Sequence, residues 1–379
     1  MEKAMVKEHY GQESYCFENG ETAVLVTRSG GRMTAEFDLG GRRIDPFYLA
    51  PWWNEGVSGS DASMRGSWFA FPLGLNEPYN GIRYPVHGFP VESTYGEMGV
   101  VREDGCTVMT LETELREDHA TLTKNYLLRD GEHCVYVSDR VSGAEGRYPV
   151  GYHPTLKIPT EIGSSYLDTS APLATYTSPV HIEDYTKGGY SCLLPDYQIE
   201  DMTRVPTVYG REVDLTRQPF VKGFDDIYMH ISDPEKAFCF TALSIPSEGY
   251  LYFQLKNPRV LTGQMVWTSY TGRYYEPWNG RVNGCIGLEE LTGYFYYGIT
   301  AAYGENPLTA RGYRMYDEFS EDSREYRIIH GVVPIGKDFQ GVRDIVRQDE
   351  AHVRILGRNG EEITVACHVD FLEQPCRQR

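Results

Sequence analysis

A dense succession of short, alternating apolar runs constrains what this chain can fold into. Residues 12–50 contain the runs SYCFE, TAVLVTR, MTAEFDL and RRIDPFYL, separated by Asn-Gly or Gly-Gly pairs at 19–20, 30–31 and 40–41. Asn-Gly and Gly-Gly pairs between such runs are typical of β-hairpins. Similar runs recur through 100–160 and 223–300. The spacing predicts an all-β sandwich or barrel.

The last part of the chain continues this pattern with one predicted exception. Apolar residues at Phe339, Val342, Ile345 and Val346 fit helical spacing and predict a short helix there. The run FYYGITAA at 295–302 reads as a strand. Because no hinge-like linker is evident, we expect one β-sandwich domain over 1–302. Residues 303–379 are expected to form a C-terminal extension of strands and a short helix packed on that domain.

Residues 50–100 differ from the strand-rich segments on either side. They are rich in Gly, Pro, Asn and aromatic residues, as in MRGSWFAFPLGLNEPYNG and YPVHGFP, and have little regular periodicity. Long ordered loops of this kind usually have a functional reason. The sequence therefore favours a loop-borne site on a β scaffold.

An apolar run at 285–288 ends at two adjacent carboxylates, Glu289 and Glu290. Burying a charge is costly unless it is paired or functional. Aromatic residues surround these acids in sequence, namely Tyr274, Tyr275, Trp278, Tyr294 and Phe295. Aromatic faces beside a carboxylate suit a sugar, which stacks through its C–H face and hydrogen-bonds through its hydroxyls. A solvated strand end beside core aromatics is the alternative.

Composition and motifs exclude several function classes. The net charge of −18 argues against a basic surface for nucleic acid. No apolar run approaches the roughly 18–20 residues of a membrane span, and the N-terminus has no apolar signal core. The eight cysteines form no CxxC pair and no zinc-ligand spacing with histidine. We expect reduced thiols, a cytoplasmic location, no metal and, in the absence of nucleotide-binding motifs, no cofactor.

Five short motifs occur along the chain in this order: RG at 65–66, HG at 87–88, GYHP at 151–154, FDD at 224–226 and GLEE at 287–290. In this order they resemble the motifs of aldose 1-epimerases, the galactose mutarotase-like proteins. The resemblance covers most of residues 20–300. It implies a large antiparallel β-sandwich, the supersandwich, with short helical pieces and a site in its concave face.

The resemblance also implies catalytic roles. Glu289 stands at the position of the catalytic base, and Glu290, the reserve candidate, replaces the usual proline. His153 stands at the position of the general acid that protonates the ring oxygen. Thr155 and Leu156 replace the usual aromatic pair after it.

Further residues are expected to bind the substrate. By resemblance, Arg65, His87 and Asp225 contact the sugar, with Asp226 in reserve. Without the resemblance, they read as an exposed arginine, a loop histidine and a turn-forming aspartate. The expected aromatic wall is drawn from Trp52, Trp53, Trp267, Tyr275 and Trp278.

These residue types suit the interconversion of sugar anomers. The reaction removes a proton from the C1 hydroxyl and delivers one to the ring oxygen, which a carboxylate and an imidazole can do. The expected partner is a small carbohydrate. One alternative is a carbohydrate-binding or sugar-sensing protein without catalysis. Another is a glycoside hydrolase using Glu289 with Asp225 or Asp226.

Overall fold

The computed structural model describes residues 2–57, 64–75, 77–320 and 322–373, and strands dominate them. The strands are β1 Met5–His9, β2 Gln12–Glu18, β3 Thr22–Thr27, β4 Met33–Asp38, β5 Arg43–Ile44, β6 Phe69–Ala70, β7 Gly96–Glu103, β8 Cys106–Leu115, β9 Ala120–Arg129, β10 Cys134–Ser142, β11 Glu145–Tyr148, β12 Val150–Tyr152, β13 Thr155–Lys157, β14 Ser165–Thr169, β15 Ala174–Thr177, β16 Val205–Pro206, β17 Glu212–Val213, β18 Arg217–Gln218, β19 Phe224–Ile231, β20 Cys239–Ile245, β21 Tyr250–Lys256, β22 Gly263–Tyr270, β23 Asn283–Thr292, β24 Asp317–Ser320, β25 Arg324–Pro334, β26 Val342–Arg347, β27 His352–Gly357 and β28 Glu362–Ala366.

Helical structure is confined to short pieces in the described part of the chain. The α-helix α1 spans Gly298–Tyr303. Single 3-10 turns lie at Phe89–Val91, Arg116–Asp118, Tyr185–Lys187, Thr309–Arg311 and Val369–Leu372. The predicted all-β class with short helical pieces is confirmed.

Two large antiparallel sheets form the body of the fold. The nine-stranded sheet has the order β18-β14-β20-β21-β25-β10-β9-β8-β7. The seven-stranded sheet has the order β15-β19-β22-β23-β12-β6, and β13 also pairs with β23. Strands β1 to β5 form a five-stranded sheet. Its Val24, Val26 and Phe37 belong to the same buried cluster as residues of the two large sheets.

The main core lies between the two large sheets. The seven-stranded sheet contributes Tyr228, Val266, Ile286 and Leu288. The nine-stranded sheet contributes Leu122, Leu128, Tyr252, Ile328 and Val332. Because side chains alternate across a strand, each sheet also presents a second face. The second face of the seven-stranded sheet carries the candidate site.

A three-stranded sheet, β26 to β28, covers the second face of the nine-stranded sheet. Its Val342, Ile345, Val353, Ile355 and Val365 belong to one buried cluster with residues of that face. Strand β25 lies in the nine-stranded sheet between β21 and β10, although it follows residue 302. The division of the chain at residue 302 stays a prediction.

Two local predictions were wrong. The segment predicted as a helix contains strand β26, whose pairing with β27 shifts register between Val342 and Asp344. This bulge places Val342 and Ile345, three residues apart, on one buried face, which imitates helical spacing. The predicted strand at 295–302 is instead a turn followed by α1. Phe295 at φ 49° and Gly298 at φ 80° turn the chain there.

Two further findings concern the whole described chain. Seven cysteines, at 16, 106, 134, 192, 239, 285 and 367, have free thiols, and Cys376 lies outside the described residues. No helix in the described ranges is long and apolar enough to cross a membrane.

Candidate functional site

A cavity of about 330 Å³ opens on the second face of the seven-stranded sheet. That volume falls in the range of small-molecule pockets. Loops and strands from distant parts of the chain contribute its lining: Met64, Trp68, Leu75, Val86, His87, His153, Ile182, Glu183, Ile227, Met265, Trp267, Arg273, Tyr275, Trp278, Glu289 and Tyr296. Six of the residues predicted for the site are therefore together in one cavity: His87, His153, Trp267, Tyr275, Trp278 and Glu289.

Strand alternation in β23 decides which carboxylate reaches this cavity. Glu289 is paired in register with Met265 of β22, and both line the cavity. Glu290 therefore points to the opposite face, into the core between the sheets. There its Oε2 lies 2.5 Å from Lys256 Nζ, and its Oε1 accepts hydrogen bonds from Thr241 and Gln254. The reserve base does not line the cavity.

His153 lies directly beside Glu289. Its Nε2 is 3.2 Å from Glu289 Oε1, and its Nδ1 is 3.2 Å from the Thr155 hydroxyl. The imidazole stacks on Trp68 with ring centroids 4.2 Å apart and an interplanar angle of 18°. The main-chain N–H of His153 donates to Trp68 O, so backbone and ring fix the residue together.

A glycine on β23 makes room for these rings. A Cβ at Gly287 would lie 3.2 Å from the Trp267 ring and 3.4 Å from the His153 ring. A side chain at this position would therefore crowd the Trp267 ring and touch the His153 ring.

Burial governs the protonation of the Glu289–His153 pair. Desolvation raises the pKa of Glu289 well above its ordinary value. Desolvation, and next the neighbouring His87, lower the pKa of His153. Both pKa shifts favour the uncharged form of the side chain, because a buried charge loses its hydration. The two side chains at hydrogen-bond distance are suited to holding one proton between them.

His87 forms another part of the wall. It has φ 65°, an unusual conformation for a non-glycine residue, which the hydrogen bond from its N–H to Gly74 O helps to fix. Its ring lies 5.1 Å from that of His153. Desolvation, with a smaller effect of Arg32, lowers the pKa of His87 to about 4. A neutral imidazole at this position can both donate and accept a hydrogen bond.

Asp225 supports the cavity from behind its lining. The carboxylate is fully buried and accepts hydrogen bonds from Ser269 Oγ and from the main chain of Tyr270 and Gly272. Its Oδ2 lies 3.1 Å from Nε of Arg273, which does line the cavity. Asp225 thus reaches the cavity through Arg273 rather than by direct exposure.

Asp226, the reserve for Asp225, faces the other side of the sheet. Its carboxylate accepts hydrogen bonds from the main-chain N–H groups of Cys192 and Leu193. These bonds hold the 190–193 segment on the sheet. Neither aspartate lines the cavity, so neither forms an exposed acid pair with Glu289.

Arg65, which was expected to contact the sugar, does not line the cavity. The guanidinium points to the first hairpin, where it donates to His9 O and Tyr10 O at 3.0 and 2.8 Å. Its neighbour Met64 lines the cavity instead. Because neighbouring residues in an extended segment point to opposite sides, only one of the two can face it.

The aromatic predictions differ in outcome. Trp267, Tyr275 and Trp278 line the cavity, whereas Trp52 packs behind Trp278 at a centroid distance of 5.0 Å. Trp53 is 36% exposed and contacts Tyr10.

Sequence reasoning missed four polar or aromatic lining residues: Trp68, Glu183, Arg273 and Tyr296. Trp68 lies in the aromatic loop that was expected to carry function, so its composition was a usable signal. Arg273 lies between two predicted site residues, Trp267 and Tyr275. Glu183 comes from an irregular excursion with no motif, and its proximity appears only in the folded chain.

Several polar atoms of the lining are buried without a hydrogen-bond partner in the described chain. They are Trp68 Nε1, His87 Nδ1, Trp267 Nε1 and Glu289 Oε2. Buried polar groups are normally satisfied, so an unsatisfied set in one cavity indicates a place for ligand hydroxyls or water. No group of three or more His, Cys, Asp or Glu side chains suited to a metal ion occurs among the described residues.

Comparison with known proteins places the fold. No protein-family model and no curated protein sequence matches the chain. A galactose mutarotase related enzyme from Lactobacillus acidophilus is similar in structure, with a TM-score of 0.56 and 12% identity, over 85% of this chain and 98% of that one. A galactose mutarotase-like protein from Clostridium acetobutylicum has a TM-score of 0.56 and 11% identity, over 88% of this chain and 99% of that one.

These matches cover most of both chains, at identities that reveal the fold alone. They confirm the resemblance predicted from the five short motifs, as a likeness of structure. The chain has the galactose mutarotase-like fold.

Proposed function

We propose that this protein binds an aldose in the cavity and interconverts its anomers, with Glu289 as general base and His153 as general acid. The observation that carries the proposal is the contact of 3.2 Å between His153 Nε2 and Glu289 Oε1 inside an aromatic-lined cavity. The two groups can address the C1 hydroxyl and the ring oxygen, which are attached to the same carbon. The fold shared with mutarotase-related proteins adds support.

The chemistry proceeds by ring opening and closure. Glu289 takes the proton of the C1 hydroxyl, and the freed electron pair forms the C1 carbonyl. The bond from C1 to the ring oxygen breaks, and its electron pair takes the proton of His153. Rotation about C1–C2 and the reverse transfers close the ring as the other anomer and restore both side chains. Each positioned group contributes roughly 10²–10⁴-fold to such proton transfers.

The remaining lining residues are suited to holding the sugar. Trp267 and Trp278 offer faces for its C–H groups. The unpartnered Nε1 atoms of Trp68 and Trp267 are donors for hydroxyl oxygens, and His87 Nδ1 is a further partner. A sugar bound between His153 and Glu289 would break their contact. Each side chain would then hydrogen-bond to the sugar instead.

The test is anomer exchange on a panel of free hexoses and pentoses, measured by NMR saturation transfer between the two anomeric protons. We expect exchange above the buffer rate for at least one sugar, at protein concentrations far below the sugar concentration. Sugar binding without faster exchange would instead assign the protein to the sugar-binding class. Aryl glycosides of the bound sugar test hydrolysis in parallel, and release of the aryl alcohol would contradict the proposal.

A further inference from the structure

The cavity contains a charged cluster that the proposed acid and base do not use. Arg273 Nε lies 2.6 Å from Glu183 Oε1 and 3.1 Å from Asp225 Oδ2. The Tyr275 hydroxyl donates to Glu183 Oε2 at 2.9 Å. Glu183, Arg273 and Tyr275 all line the cavity. We call these three residues the polar cluster.

The polar cluster is joined to the acid–base pair through Trp267. The Arg273 guanidinium lies 5.3 Å from the Trp267 ring and 4.2 Å from the Trp278 ring. The Trp267 ring also contacts His153 and Trp278, each at a centroid distance of 6.0 Å. A sugar stacked on Trp267 would therefore have its reacting carbon near His153 and other hydroxyls near Arg273.

The charge balance of the cavity is unfavourable for an anionic ligand. Arg273 is the one lysine or arginine in the described lining, and two carboxylates already hold it. Burial lowers the pKa of Arg273, but Asp225 and Glu183 outweigh that effect and raise it overall. In the free protein, burial lowers the pKa of His87 and of His153, so neither imidazole is cationic near pH 7. A carboxylate or phosphate in this cavity would meet Glu183 and find no unpaired cation.

The same cluster is well suited to hydroxyl groups. Within the described chain Arg273 donates to Glu183 through Nε, and its two terminal nitrogens remain for a ligand. Glu183 retains acceptor capacity, since each carboxylate oxygen can accept more than one hydrogen bond. One hydroxyl can accept from Arg273 while a second donates to Glu183. Buried, charge-assisted hydrogen bonds of this kind are strong and directional.

We propose that Glu183 and Arg273 determine the substrate selectivity of the cavity, binding hydroxyl groups of an uncharged sugar and rejecting sugars with a carboxylate or phosphate at that end. The inference rests on the proposed function for its substrate class. It assigns to Arg273 and Glu183 the hydroxyl recognition that the resemblance implied for Arg65 and Asp225.

The experiment compares dissociation constants of wild type and Glu183→Gln for a neutral hexose, its uronic acid and its 6-phosphate, by calorimetry or ligand-observed NMR. Glutamine keeps the shape of Glu183 and removes its charge, so Arg273 loses one counter-ion. We expect the ratio of anionic to neutral affinity to rise at least about tenfold, equivalent to about 1.4 kcal/mol. Glu55→Gln is the matched control, because it removes the same charge from the exposed Glu55–Arg281 pair.

A second variant guards against a folding defect in Glu183→Gln. Tyr275→Phe removes only the hydroxyl that donates to Glu183. We expect weaker binding of the neutral hexose, by roughly threefold to tenfold, as for the loss of one hydrogen bond.

The outcomes separate this inference from the proposed function. An unchanged selectivity ratio in Glu183→Gln, together with unchanged hexose affinity in Tyr275→Phe, would overturn the selectivity role alone. Wild type that binds the hexose without accelerating anomer exchange would refute the proposed reaction and leave the selectivity result valid. Wild type that prefers the uronic acid or the phosphate would overturn the inference directly.

Discussion

Glu289 and His153 are in direct contact, and their shared burial sets which protonation states the pair can hold. Two protons give the pair a positive charge, and none gives it a negative charge. Desolvation penalises both, which agrees with the raised pKa of Glu289 and the lowered pKa of His153. The singly protonated pair is therefore favoured over a wide pH range. Within that state the pKa directions place the proton on Glu289 in the free protein, whereas the proposed reaction starts with it on His153. The reaction therefore requires transfer of this proton across the 3.2 Å contact when the sugar binds.

We accordingly predict a broad bell-shaped pH dependence of kcat/KM for anomer exchange. The acid limb marks uptake of the second proton and should lie below the ordinary histidine pKa of about 6.5. The alkaline limb marks loss of the last proton and should lie well above the ordinary glutamate pKa of about 4.3. The two limbs belong to the pair rather than to either residue. A profile that rises through a single limb near pH 4 and then stays flat would contradict the shared-proton description.

At the scale of the element, β23 carries two adjacent carboxylates to opposite environments. Glu289 faces the cavity, and Glu290 faces Lys256 of β21 across the core, 2.5 Å away. Lys256 also donates to Gly263 O on β22. The Lys256–Glu290 pair therefore links β21, β22 and β23 next to Glu289. A one-residue slip of β23 would place Glu290 in the cavity and Glu289 in the core.

We predict that Lys256→Met and Glu290→Leu each lower the free energy of unfolding by about 3–5 kcal/mol, because each leaves a buried charge unpaired. The double variant should recover most of that loss, since apolar replacement of a whole buried pair is often close to neutral. Chemical unfolding followed by tryptophan fluorescence measures all four proteins. Additive losses in the double variant would show that the two side chains do not interact. Anomer exchange by the folded double variant would indicate whether the pair is needed to orient Glu289.

The elements also show where sequence patterns are ambiguous. Hairpin turns and strand-like runs predicted most strands. Period-two burial is clear in Ala120–Arg129, whereas all six residues of Thr22–Thr27 are buried. The pattern failed at β26, where a bulge converts a spacing of two into a spacing of three. It failed again at α1, where one helical turn, with Ile299 and Ala302 buried, is too short to show periodicity. Bulges and single turns depend on tertiary pairing that local sequence does not encode.

At the scale of the whole molecule, the site depends on the layered arrangement. One face of the seven-stranded sheet closes the main core and the other carries the cavity, so β19, β22 and β23 serve both. The order of the motifs predicted the fold. It also identified His87, His153 and Glu289 as candidate site residues, and all three line the cavity. Arg65 and Asp225 were expected to contact the sugar but do not line the cavity, because a motif gives a position in the chain, not the direction of a side chain. Glu183 and Arg273 could not be predicted, because their pairing joins residues 90 positions apart.

The central claim is that Glu289 removes a proton from a bound aldose, and one measurement tests it most directly. Anomer exchange and sugar affinity are measured by NMR for wild type, Glu289→Gln and the exposed control Glu318→Gln, whose residue pairs with Arg147 at the surface. We predict that Glu289→Gln loses at least about 100-fold in kcat, the lower end of a general base contribution, and keeps sugar affinity within about threefold. Glu318→Gln should match wild type in both. A Glu289→Gln variant that folds, binds the sugar and exchanges its anomers at the wild-type rate would contradict the account.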